Sequence, residues 1–70
     1  MGIQRYFNEH EVAEITGRAV QTYRNERHRG IGMPYIKIGR SVRYKLDDVL
    51  SFMEAHRVET EDSLIIRRSD

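Results

Sequence analysis

Between Arg18 and Lys45 stand eight basic side chains: Arg18, Arg24, Arg27, Arg29, Lys37, Arg40, Arg43 and Lys45. Glu26 is the only acid in that span. The local charge is therefore +7 in a chain of net charge +1, and the flanking segments carry −6. Guanidinium and ammonium groups at this density can neutralise a polyanion, and a basic middle between acidic ends is the footprint of such a binder. The competing reading is a basic surface that is merely solvated. One acid among twenty-eight residues argues against it. Gln21, Arg24, Asn25 and Arg27 add long, multi-donor side chains that can reach phosphate oxygens and base edges.

Other chemistry finds no support. His10, His28 and His56 fall on different predicted elements without metal-ligand spacing. No glycine-rich phosphate loop, nucleophile elbow or Walker motif is present. A chain of 70 residues has little room for a catalytic cleft, so neither an enzyme nor a cofactor is expected. The absence of cysteine rules out a disulfide staple and suits a reducing cytoplasm. No apolar run approaches membrane-spanning length, and the N-terminus lacks a signal-peptide pattern.

The elements that must position these side chains can be read locally. Met33–Tyr44, MPYIKIGRSVRY, alternates apolar and basic residues around Gly39-Arg40-Ser41 and predicts a β-hairpin. A two-residue turn would pair Ile36 with Arg43 and Ile38 with Ser41, mixing apolar and charged groups on one face. An odd-numbered loop pairs Ile38 with Val42 and Ile36 with Tyr44, giving one apolar face and one carrying Lys37 and Arg43. Burial of one face favours the odd register. The turn type stays open, because a three-residue loop wants its glycine last rather than first.

Upstream, Asn8 and Glu11 match a reciprocal N-terminal cap, so a first helix runs from about Glu9 to Thr16. Val12 and Ile15 form its apolar face, while Glu9, Glu11 and Glu14 point to water. Gly17 ends it. A second helix spans about Ala19 to Arg27, with Val20, Thr22 and Tyr23 as its few anchors. Two short helices joined by a glycine turn form a helix-turn-helix or an ordinary helical hairpin. His28–Pro34 reads as a loop. A third helix opens near Asp47, its predicted N-cap, and buries Val49, Phe52 and Met53 before fading near Arg57. One domain over residues 1–57 is expected, with 58–70 a flexible tail whose Leu64–Ile66 run could dock on a partner.

This order, and several motifs within it, resembles the small winged-helix proteins of phage excisionases and AlpA-type regulators, relatives of the MerR DNA-binding domain. The resemblance covers Tyr6–Arg57. Its most specific part is GMPYIKIGRSVRY (Gly32–Tyr44), similar to the family's wing. EVAEITG (Glu11–Gly17) resembles the first helix and turn, and DDVLSFM (Asp47–Met53) the closing helix, with Phe52 where Trp is frequent. Thr22 and Arg27 stand where the family commonly has Thr and Arg. Arg18 and Ala19 depart from the usual apolar-then-Ser start of the second helix, and Glu26 replaces an apolar residue.

The resemblance implies an α+β winged helix-turn-helix: helix-turn-helix, β-hairpin wing and closing helix. It implies that the second helix enters the major groove while the wing lies on the backbone or in the adjacent minor groove. Gln21, Arg24 and Asn25 would then read bases. Arg18, Thr22 and Arg27 would hold phosphates, as would Lys37 on the wing's basic face. Arg40, with Ser41 and Arg43, would touch phosphate or enter a narrow minor groove. The function expected is an excisionase-like architectural factor on double-stranded DNA. It would self-associate at adjacent sites, bend the duplex and bias a phage integrase toward excision in a bacterial nucleoid. A small transcriptional regulator is the alternative on the same fold. A module for an acidic protein partner is the alternative from another class.

Overall fold

A computed structural model of the chain describes residues 5–62. Its elements are β1 (Tyr6–Phe7), α1 (Glu9–Thr16), α2 (Val20–Arg29), β2 (Ile36–Ile38), β3 (Ser41–Lys45) and α3 (Leu46–Ala55). This is the expected α+β winged helix-turn-helix with one added strand. The Leu64–Ile66 run lies outside the described residues.

Local chemistry accounts for the helix-turn-helix. The Asn8 side-chain oxygen accepts from the Glu11 amide at 2.8 Å, and the Asn8 amide donates to the Glu11 carboxylate at 2.9 Å. This reciprocal cap satisfies two amides that the first turn leaves without partners. Gly17 ends α1 in the left-handed conformation, with φ 74°, and donates to the Ala13 carbonyl. α2 starts one residue later than predicted, with no side-chain cap at Ala19, and runs two residues further to Arg29. Gly30 closes it, accepting the same role that Gly17 has in α1.

The hairpin corrects the predicted register. Ile36 pairs with Arg43, Lys37 with Val42 and Ile38 with Ser41, so Gly39-Arg40 is a two-residue turn. Gly39 has φ 59°, and among the described residues no non-glycine has positive φ. A positive φ at the first central position alone is the type II′ arrangement, for which a leading glycine is the signature. Turn chemistry wins here because only β3 has an apolar face to bury. Tyr44 is buried and Val42 half-buried, whereas Ile38 is 69 % exposed and Ile36 is exposed too. Lys37 and Arg43 consequently lie on opposite faces of the sheet.

β1, unanticipated as a strand, pairs antiparallel with β3 through Tyr6–Lys45 and Phe7–Tyr44, giving the order β1-β3-β2. β3 runs directly into α3. The cap position therefore falls on Lys45, which makes no side-chain cap, rather than on Asp47. Asp47 and Asp48 sit within the first turn, where negative charge still suits the helix dipole.

The core joins Val12, Tyr23, Met33, Tyr44 and Val49, edged by Phe7, Ala13, Val42 and Phe52. Met33, read as loop, is buried; Ile15 and Met53, read as core, are 44 % and 43 % exposed. Both buried tyrosines keep their hydroxyls satisfied. Thr16 Oγ1 donates its one proton to the Val12 carbonyl at 2.8 Å, so Tyr23 donates to Thr16, at 2.6 Å. The Tyr44 hydroxyl accepts from Arg27 Nη1 at 2.7 Å. Burial pushes the Tyr44 phenol pKa up, against the pull of Arg27. A core this small leaves stability sensitive to the polar contacts that tie its edges.

Candidate nucleic-acid interface

α2 and the hairpin tip face one another across a basic groove. Two open clefts of about 410 and 440 Å³ share Arg24, Arg27, Arg40 and Val42 in their walls. One adds Glu9, Ser41 and Arg43; the other adds His28, Tyr35 and Lys37. The two-residue turn is what places Lys37 on the helix side, across from Val42. Arg24, Arg27, Lys37 and Arg40 therefore line the groove against one carboxylate, Glu9, while Arg43 reaches its edge from the other face of the sheet, where it also lies beside Tyr6, Ile36 and Ile38.

Glu9 is the residue that sequence reasoning missed. It does not point to water: its side chain is only 16 % exposed. Oε2 accepts from Arg24 Nε at 3.0 Å and from Arg24 Nη2, while Oε1 accepts from Arg27 Nη2 at 2.7 Å. The Arg24 hydrogen bonds, working against partial burial and aided by Arg27, draw its pKa down to about 2. A continuous polar chain, Tyr44–Arg27–Glu9–Arg24, thus leads from the core to the groove. No local signal reveals it, since Glu9 lies fifteen and eighteen residues before its partners.

The other predicted site residues divide by setting. Arg24, Gln21 and Asn25 are exposed on α2, and Gln21 Nε2 donates to Asn25 Oδ1 at 2.9 Å. That bond leaves the Asn25 amide protons available as donors and the Gln21 carbonyl oxygen as an acceptor. Lys37, Arg40, Ser41 and Arg43 are exposed on the hairpin. Thr22 is half-buried. Arg27 is more deeply placed, with a side chain 15 % exposed and both Nη groups engaged by protein oxygens. Its guanidinium lies 5.8 and 5.9 Å from the ring centres of Tyr35 and Tyr44.

Arg18 does not join this groove. It lines a separate cleft of about 430 Å³ with Thr16, Glu26, Phe52, Met53 and His56. Its guanidinium donates to Glu26 at 2.7 and 3.2 Å and sits 4.7 Å from the Tyr23 ring centre and 5.3 Å from that of Phe52. The pairing raises the Arg18 pKa and lowers that of Glu26. The two departures from the family pattern, Arg18 and Glu26, thus compensate each other: a charge-assisted bond ties the residue preceding α2 to Glu26 within it, while the first amides of α2 keep no side-chain cap. Among the described residues, no group of three or more His, Cys, Asp or Glu side chains is placed to hold a metal ion, and no helix is long and apolar enough to cross a membrane.

No curated protein and no solved structure matches the chain. A family model for the helix-turn-helix domain matches residues 4–57, which takes in both helices of the turn motif, the whole sheet and α3. Helix-turn-helix modules place their second helix in the major groove of a duplex, and the chain belongs to the helix-turn-helix domain family of DNA-binding modules.

Proposed function

We propose that the chain is an excisionase-like architectural factor: it prefers certain duplex sequences, loads on adjacent sites and bends the DNA to bias an integrase toward excision. The observation that carries this reading is the shared groove. Arg24 on α2 and Arg40 at the hairpin tip line the same clefts, so a duplex seated on the helix meets the wing as well. Gln21, Arg24 and Asn25 face outward for base readout. Lys37, Arg40, Ser41 and Arg43 would hold the backbone or a narrow minor groove. Arg27, in the groove wall, and Thr22, half-buried on α2 outside both clefts, would hold phosphates. Arg18, in its own cleft, would act by holding α2.

A single module of this kind covers roughly 600–1,000 Å² of protein surface on DNA, a small footprint for tight binding. Contact between copies on adjacent sites would raise affinity through effective concentration. Gel-shift titration on one, two and three sites, with circular-permutation mobility for bending, tests the proposal. Cooperative filling, a bend, and a log–log salt slope of roughly −4 to −5 for about four to six neutralised phosphates are expected. Independent filling of unbent DNA would refute the architectural role and leave a simple transcriptional regulator. A salt slope near zero would refute DNA binding and favour an acidic protein partner.

A further inference from the structure

We infer that Glu9 is a specificity-determining positioning residue: held by the core, its carboxylate fixes the Arg24 guanidinium so that Arg24 reads a guanine rather than a phosphate. The inference rests on the DNA reading above and goes beyond it.

The carboxylate is itself immobilised. It sits in the first turn of α1, whose start is locked by the reciprocal Asn8–Glu11 cap. Its Oε1 is held by Arg27, and Arg27 in turn is held by the buried Tyr44 hydroxyl. On the other side, Oε2 takes the Nε–Nη2 edge of Arg24. Nη1 has no partner among the described residues, and the side chain is 48 % exposed. Of the two donor edges that a guanidinium can use in bidentate fashion, the side-on edge is occupied and the end-on Nη1–Nη2 edge is left for a ligand. That edge matches the O6 and N7 acceptors of guanine.

Charge decides between base and phosphate. A free guanidinium in this groove would be drawn to the nearest phosphate oxygen, an anion, and would carry no sequence information there. Glu9 lowers the charge of the Arg24–Glu9–Arg27 trio from +2 to +1, so the attraction of Arg24 to phosphate falls while its Nη1–Nη2 edge stays available. Its hydrogen bonds to the uncharged acceptors of guanine survive. The Glu9 charge also repels any phosphate brought to that point of the groove. Glu9 thus gives up some sequence-independent affinity in exchange for discrimination.

Selection from a pool of randomised duplex DNA, performed with the full-length wild type, Glu9→Gln and Arg24→Ala, tests this. The wild type is expected to select a guanine whose preference Arg24→Ala abolishes. Glu9→Gln is expected to lose at least about fivefold of that preference, to bind random duplex about three- to tenfold more tightly, and to steepen the salt slope by about 1 as Arg24 turns to phosphate. In an Arg24→Ala background, Glu9→Gln should leave base preference unchanged, which a merely structural role for Glu9 would not predict. Where circular dichroism shows Glu9→Gln unfolded, Glu9→Asp replaces it. It keeps the charge but draws the carboxylate back by one methylene, and it should lose the same guanine preference. An unchanged preference in a folded Glu9 variant, or a wild-type consensus indifferent to Arg24, overturns the role of Glu9 while leaving DNA binding intact. Failure of the wild type to bind any duplex overturns both.

Discussion

Replacing Glu9 by glutamine should cost stability in a way that only pH reveals. In the folded chain the Glu9 carboxyl titrates at about 2 instead of its ordinary 4.5. At about 1.4 kcal/mol per pH unit, this shift corresponds to a ceiling of about 3 kcal/mol. Glu9 itself is 16 % exposed, but its partner Arg24 is 48 % exposed, so solvent screens part of the attraction. A contribution of about 1–2 kcal/mol is the reasonable expectation. Because the folded pKa is depressed, this stabilisation is complete above the unfolded value and disappears as the pH falls from 4.5 through about 2. Glutamine at position 9 cannot titrate, but it can still accept one hydrogen bond from Arg27, so the half-buried arginine keeps a partner. Thermal unfolding of both proteins should show a gap of roughly 5–10 °C at pH 7. The gap should close toward pH 2. Glu26 also titrates low, through Arg18, but it is present in both proteins and cancels from the difference. Two melting curves separated by a constant gap from pH 7 to pH 2, or not separated at pH 7, would refute the assignment of the shift to this bridge.

Two further outcomes are expected. Arg24→Ala should cost about 1–3 kcal/mol on a selected site and flatten discrimination, while Arg40→Ala should weaken selected and random duplex nearly alike; competition gel shifts measure both, and equal effects on the specificity ratio would contradict the division. Deleting Val58–Asp70 should move the melting temperature by no more than a degree or two, because the core draws on residues no later than Phe52; a loss of several degrees would place Leu64–Ile66 against the domain.

The parts of the fold that were legible in the sequence are those held by contacts within a few residues. Asn8 and Glu11 are three apart, and Gly17 answers to its own helix, so α1 and its turn could be placed from the chain alone. The clustering of cations was equally visible. What the sequence hid depends on contacts at long separation. β1 is a strand only because Tyr44 and Lys45 come to lie beside Phe7 and Tyr6. Met33 is core only because the chain leading to β2 folds inward at that point. The hairpin register was misjudged for an instructive reason. Alternation implies a buried face only where the strand packs on the core; β2 lies beyond it and its isoleucines are exposed, so the preference of Gly39 for a type II′ turn meets no opposition.

The same distinction explains why a basic cluster was readable while the roles within it were not. Spacing showed that Arg18, Arg24 and Arg27 are charged and near one another in sequence. Their differences come from the acids they meet. Arg18 is taken up by Glu26, which also closes on Gly32, where a Cβ would come within 2.8 Å of its carboxylate. Arg27 is absorbed between Glu9 and Tyr44. Arg24 alone of the three keeps an open donor edge on the groove. On the reading proposed above, the role of each arginine follows from which of its edges a carboxylate has already occupied. The acids Glu9 and Glu26, few as they are around the basic middle, assign those edges.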